Sequence, residues 1–339
     1  MDNVLELKQK RFRASGMVMF SVALGLLISR IVASFMYRAD ANDTVVDVVF
    51  TCLTQIVFLG VVPFLIYKFA LRESPRGIME LSNYRKVDYR VLLLCIPLGV
   101  AMLCFTAGVS TMWYVFLTMF GYSSGGGTTM PETFNFGLLI LDLALTGILP
   151  AVFEEFTNRG AFLTAMRSSF SPAQTVLLCG IAFGLFHQNI TQVFYTFFFG
   201  VLCAALVLRT KSVYPGMIVH FINNGLSVYL DYAAAYGLPL GGLTDWLYGL
   251  IAKAFPLVGL LWLVTAGAGI GIVYLIFRLT RKKKPADGEA RITAVDGVEI
   301  EPLAETMLYK PVLRDWAFYI GALVVTAFTT CCTLWWGIL

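Results

Sequence analysis

Residues 136–167 read FGLLILDLALTGILPAVFEEFTNRGAFLTAMR. An apolar run is interrupted by Glu154, Glu155 and Arg159, yet apolar character resumes at once and continues to Arg167. A bilayer crossing needs about 20 predominantly apolar residues. The stretch is therefore predicted as one helix over about 137–166, with both glutamates well inside the hydrocarbon layer. Ionisable groups at that depth cost about 2.5–3.5 kcal/mol each on insertion scales, which makes each a candidate functional group.

The rest of the chain repeats the apolar pattern. Of its 339 residues, 58% are hydrophobic and 14% charged, and the mean hydropathy of +0.77 lies outside the balance of a soluble domain. Apolar runs lie near 17–37, 45–67, 91–120, 134–156, 172–188, 192–209, 213–230, 257–278 and 316–338. The fold class that follows is all-α, a polytopic transmembrane helix bundle of about eight or nine spans. So short a polar turn separates the fifth and sixth runs that they must form a tight hairpin. The first run, Met17 to about Tyr37, is long enough to cross and lacks a small-residue cleavage site, so it reads as a retained span.

Charge placement sets the expected orientation. Lys8, Lys10, Arg11 and Arg13 precede the first run, and Lys68, Arg72, Arg76, Arg85, Lys86 and Arg90 follow the second. With Arg167, Arg209, Lys211 and RLTRKKK at 278–284, these are predicted to face the cytoplasm. Segments 39–47, 121–133 and 231–246 are poor in Lys and Arg and belong on the other side. The expectation is a multi-pass cell-membrane protein with a cytoplasmic N-terminus. The net charge of +4 is spread between apolar runs rather than over one face, which excludes nucleic acid as a partner. The seven cysteines show no CxxC pair and read as small buried hydrophobes, and GAGIG at 267–271 reads as a close helix contact.

Within the predicted spans, ionisable residues are few. Glu155 and Arg159 are spaced i,i+4 and can pair. Glu154, turned about 100° away by the helical period, is then the carboxylate without a local charge partner. A desolvated glutamate suits a group that takes a proton from water and later gives it to a leaving amine. The chain has two histidines, His187 in FGLFHQN and His220 in VHFINN, both in apolar helical pattern. Asn224 follows His220 by one helical turn, so both project from one face. Counted at 1.5 Å per residue, His187 lies roughly 24 Å up its helix from Ser171 and His220 about 10 Å up from Val213, so tilt or a broken helix has to bring them together. Arg30 and Asp142 are further intramembrane charges that read as structural partners.

Glu154-Glu155-x-x-x-Arg159, Phe183-x-x-x-His187 and His220-x-x-x-Asn224 resemble, in order and spacing, the three motifs of the CAAX-protease and bacteriocin-processing family of intramembrane endopeptidases. The match divides the chain into N-terminal transmembrane helices over 1–133, a catalytic helical core over 134–232, and C-terminal helices over 233–339 with a cytoplasmic loop near 281–311. It implies hydrolysis of peptide bonds in a membrane-embedded cavity. Glu154 and His187 would activate water, His220 and Asn224 would hold the carbonyl oxygen as charge develops, and Glu155 with Arg159 would support the geometry. The implied partners are a peptide or protein substrate in or at the membrane, lipidated or not, and the lipid bilayer.

Two readings of the cofactor stay open. Glu154, His187 and His220 could supply three ligands of a catalytic zinc with an open fourth position. Alternatively, a carboxylate used as base needs no metal, and the chain has no HExxH. Two other functions use the same residues differently. A proton-coupled transporter would show flux in proteoliposomes, although no internal repeat is evident. A non-catalytic membrane scaffold would co-purify with an uncleaved partner.

Overall fold

Polar caps and prolines set most helix ends. Asn42, Ser74, Asp88, Asn135 and Ser171 each accept a backbone N–H of the first turn that follows, and Ser171 with Gln174 closes a reciprocal capping box ahead of Pro172. The computed structural model describes residues 2–39, 41–123, 130, 132–243, 246, 255–281, 294–295, 298–299 and 308–338. The helices are α1 (Asp2–Arg38), α2 (Asp43–Ala70), α3 (Pro75–Leu81), α4 (Tyr89–Thr118), α5 (Phe136–Arg167), α6 (Pro172–Phe186), α7 (Val193–Thr210), α8 (Tyr214–Tyr236), α9 (Phe255–Leu279) and α10 (Ala317–Ile338). A minimal antiparallel ladder pairs Ala294 with Glu299 and Val295 with Val298. Most of the predicted loop near 281–311, and residues 124–129 and 131 of the Gly-rich loop, lie outside the described residues.

The architecture is the predicted all-α, multi-pass membrane bundle. Among the described residues seven helices are long and apolar enough to cross a membrane, namely α1, α2, α4, α5, α7, α9 and α10. The α6 helix is apolar but shorter, and α8 is long enough but carries His220, Asn223, Asn224 and Asp231. Large apolar side chains such as Leu263, Ile270 and Phe328 point outward, as lipid-facing residues do. Among the described residues three apolar clusters fill the interior. One joins α1, the end of α5, α6, α7 and α10; a second joins α4, α6, α7, α8 and α9; a third joins α1, α2 and α5 with Ile78 of α3.

The tight hairpin is α6 and α7, packed at the closest range where two glycines meet. A Cβ added to Gly200 would lie 2.9 Å from the Cα of Gly180, so this crossing admits no side chain there. The expected helix contact at GAGIG holds at its middle glycine, Gly269 against Ala101 and Leu98 of α4, and Trp262 stacked on Phe105 at 5.2 Å adds to the α9–α4 contact. The expectation for the cysteines is corrected. Cys95, Cys179 and Cys203 are buried, but Cys104, Cys331 and Cys332 are exposed on the outer surface, where lipid tolerates an apolar thiol.

Prolines inside the spans carry a specific consequence. α2 and α5 each contain π-helical turns, at Cys52–Val61, Leu143–Ile148 and Phe156–Phe162, closed by bonds such as Leu149 N–H to Ala144 O and Leu163 N–H to Asn158 O. Pro150 brings no N–H for the carbonyl four residues before it, Thr146, and Pro63 brings none for Leu59. A carbonyl freed in this way inside a bilayer needs another donor. Asn224 Nδ2 donates to Thr146 O at 3.0 Å and Thr157 Oγ1 donates to Leu59 O at 2.7 Å. Both substitute donors come from the helices that build the site.

Candidate active site

The site forms where α5 crosses α2, α6, α7 and α8. Glu155 and Arg159 are wholly buried, with Nη1 3.0 Å from Oε1. Arg159 Nη2 also reaches the Gly200 carbonyl at 3.4 Å, and the guanidinium lies 4.3 Å from the centre of the Phe183 ring, a cation–π arrangement. The same Glu155 oxygen accepts Nδ1–H of His220 at 3.1 Å. A carboxylate only accepts, so this bond puts a proton on Nδ1 and turns Nε2 toward the other half of the site. Glu155 Oε2 lies against Gly216, where an added Cβ would stand 2.7 Å from it.

Glu154 faces elsewhere, as the helical period requires. Its side chain is 14% exposed, where that of Glu155 is 0%. Oε1 accepts Gln55 Nε2 at 2.8 Å from α2, and Oε2 lies 3.9 Å from His220 Nε2. That separation is too long for a direct hydrogen bond and suits a bridging water or substrate atom. Glu154 is thus held by a neutral donor, while Glu155 is held by a cation and an imidazole.

His187 is the residue just past α6, and its Nδ1 donates to the Phe183 carbonyl at 2.8 Å. Its Nε2 is then the accepting nitrogen. The Phe183 ring ties the histidines together, with centroids 4.9 Å from His187 and 6.0 Å from His220, both edge-on. The depth mismatch is resolved by where α8 begins. Val213 N–H bonds to Asn83 O, and the Asn83 amide bonds to Arg159 O at 3.0 Å and Thr164 Oγ1 at 3.1 Å. α8 therefore starts level with residues one to two turns before the end of α5, whereas α6 starts beyond it, so the shorter climb along α8 reaches the same depth.

Asn224 donates to Thr146 O and accepts Asn223 Nδ2 at 2.9 Å. An amide carries two N–H groups, so one remains beyond the bond to Thr146. At the polar edge of the site Tyr84 packs edge-on against Tyr214, ring centroids 5.8 Å apart. Burial first, then the Glu155 carboxylate and Tyr214, push the Tyr84 phenol well above its usual range and keep it neutral. Among the described residues no three His, Cys, Asp or Glu side chains gather so as to hold a metal ion. The set of Glu154, His187 and His220 does not close as a three-ligand site in this arrangement.

Comparison with known proteins adds one finding. Residues 136–226 match the family model described as type II CAAX prenyl endopeptidase Rce1-like. Over these residues, about a quarter of the chain, the helical core is similar to the CAAX-protease family. The match covers α5, α6, α7 and α8 as far as Leu226, and it includes every motif residue named above. No curated protein and no solved structure matches the chain. Gln55 lies outside the matched core, and sequence reading missed it; the signal was a polar Thr-Gln pair inside an otherwise apolar run. Asn223 and Gly216 were also missed, the first overshadowed by its neighbour and the second visible only once Glu155 was placed.

Proposed function

We propose that the protein hydrolyses a peptide bond of a membrane-associated substrate, with Glu154 as the base. The observation that carries this reading is the unequal treatment of two adjacent carboxylates. Glu155 is neutralised and sealed, while Glu154 keeps an oxygen facing His220 across a 3.9 Å gap. Glu154 takes a proton from water held also by the lone pair of His187 Nε2, and the hydroxide attacks the substrate carbonyl carbon. The carbonyl π pair moves to oxygen, where His220 Nε2–H, as the imidazolium, and the second N–H of Asn224 stabilise the oxyanion. A single donor of this kind is typically worth about 2.7–4 kcal/mol. Collapse breaks the C–N bond, and the proton held by Glu154 passes to the leaving amine.

With His220 as the imidazolium that this mechanism requires, two carboxylates would face one guanidinium and one imidazolium, and the four charges would cancel among apolar helices. In the cell membrane, with the N-terminus cytoplasmic, the site would lie nearer the cytoplasmic face, since α5 ends on that side at Arg167 and Glu154 lies closer to that end than to Phe136. The substrate would be a lipidated or unmodified peptide.

The test is cleavage of a membrane-peptide library by purified protein in detergent, comparing wild type with Glu154→Gln, with and without chelator. Cleavage that is lost in the variant and unaffected by chelator supports the base assignment. Loss with chelator and rescue by zinc would replace it with a metal mechanism, and equal cleavage by both proteins would remove Glu154 from the chemistry.

A further inference from the structure

The backbone that carries His187 is gripped from outside the family core. Immediately after α6 the chain turns through Gln188 at φ +49°, the left-handed region, before α7 begins. A non-glycine residue there needs support from its surroundings. α1 supplies it at two points. Gln188 Nε2 bonds to Ala23 O at 3.1 Å, and Arg30 Nη2 bonds to both the His187 and the Gln188 carbonyls at 3.2 and 3.3 Å. Ala23 and Arg30 are seven residues apart and so share one face of the helix. Trp113 of α4 donates to Ile190 O at 2.7 Å, and Ile190 N–H reaches Thr333 of α10 at 3.3 Å.

Among these holders Arg30 is the charged one. A guanidinium inside a span is costly, and here it caps the carbonyl end of α6, where the helix dipole is negative. We propose that Arg30 is a positioning residue that fixes the turn behind His187 and thereby aims the imidazole into the site. The consequence for rate rests on the hydrolytic reading above; the anchoring itself does not. Arg30 also lines a cavity of about 590 Å³ between α1, α2 and α10, together with Ser34, Asp47 and Thr333. A small cation can therefore reach the place that a truncated side chain leaves.

Two readouts test this on the full-length protein. In Arg30→Ala, hydrogen exchange of the backbone amides over 187–192 should accelerate while that of α8 stays unchanged. In the cleavage assay kcat should fall about 10–100-fold with KM unchanged, the range expected for a misplacement near 1 Å. Millimolar guanidinium should restore part of that rate, and Arg30→Lys should lie between. Unchanged exchange overturns the proposal, as does faster exchange with an unaltered kcat, or a loss seen in KM alone. Failure of the hydrolytic reading looks different: neither wild type nor any variant then cleaves, while the turn in Arg30→Ala loosens all the same.

Discussion

Two halves of the site, one helical residue apart, are built to opposite specifications. Around Glu155 every neighbour closes in: Arg159 pairs with it, His220 donates to it, and Gly216 leaves no room for a side chain. Around Glu154 one neutral amide holds one oxygen, and the other oxygen faces a gap. Burying a charge without a partner costs several kcal/mol, and the Glu155–Arg159 pair with His220 offsets that cost, although Glu155 Oε2 and Arg159 Nε are buried without a hydrogen bond of their own. The open half leaves a carboxylate able to exchange a proton. On the proposed mechanism, stability and reactivity fall to different members of one dipeptide.

The comparison breaks most sharply by removing Glu154 and then the cationic partner of Glu155. Glu154→Ala should lower cleavage by about 10²–10⁴-fold, the usual contribution of a positioned base, with thermal unfolding in detergent unchanged. Loss of folded protein in this variant would show that Glu154 belongs with the structural half. Next in size, Arg159→Met strands the Glu155 carboxylate and should destabilise by about 3–5 kcal/mol, measured by unfolding in mixed micelles. A stable Arg159→Met protein would mean that Glu155 is not held ionised by its guanidinium.

A smaller effect is expected from closing the remaining space in the sealed half. Gly216→Ala places a methyl 2.7 Å from Glu155 Oε2 and 3.7 Å from the Cβ of Cys203. Overpacking of this kind costs about 1–3 kcal/mol. Because Glu155 also holds His220 Nδ1, activity should fall along with stability, which distinguishes this variant from Glu154→Ala. Full activity in Gly216→Ala would show that the pocket relaxes without moving the imidazole.

Much of this was legible in the sequence because bilayer physics is simple. Long apolar runs must be helices, and an i,i+4 Glu-Arg pair inside one can close on itself, as Glu155 and Arg159 do. What could not be read was tertiary. The partner of Glu154 is Gln55, about a hundred positions earlier, and nothing in a helical period connects the two. The meeting of His187 with His220 depended on an offset start of α8, fixed by Asn83 in a polar turn far from either. Arg30 and Asp142 were legible as intramembrane charges with structural partners, but not the partners themselves. Asp142 takes the Tyr232 hydroxyl at 2.6 Å, and Arg30 takes the His187 turn. The prolines were visible too, whereas their consequence, a freed carbonyl for Thr157 or Asn224 to find, needs two helices side by side.

The finest distinction between the halves lies in what holds each carboxylate. Arg159 brings a positive charge to Glu155, while Gln55 brings only an N–H dipole to Glu154, which orients the group without cancelling its charge. If orientation is all that Gln55 provides, Gln55→Leu frees Glu154 to rotate about its last torsion and spend less time with Oε2 toward His220. A loss of about 1.4 kcal/mol at the transition state is a tenfold lower kcat, and KM should not move because the amide faces the enzyme's carboxylate rather than the substrate. Thermal unfolding should shift by less than in Gly216→Ala, since one acceptor at a partly open carboxylate can turn to water. A collapse of activity as complete as in Glu154→Ala would mean instead that the amide contributes to the chemistry, and the open half would then have two working members rather than one.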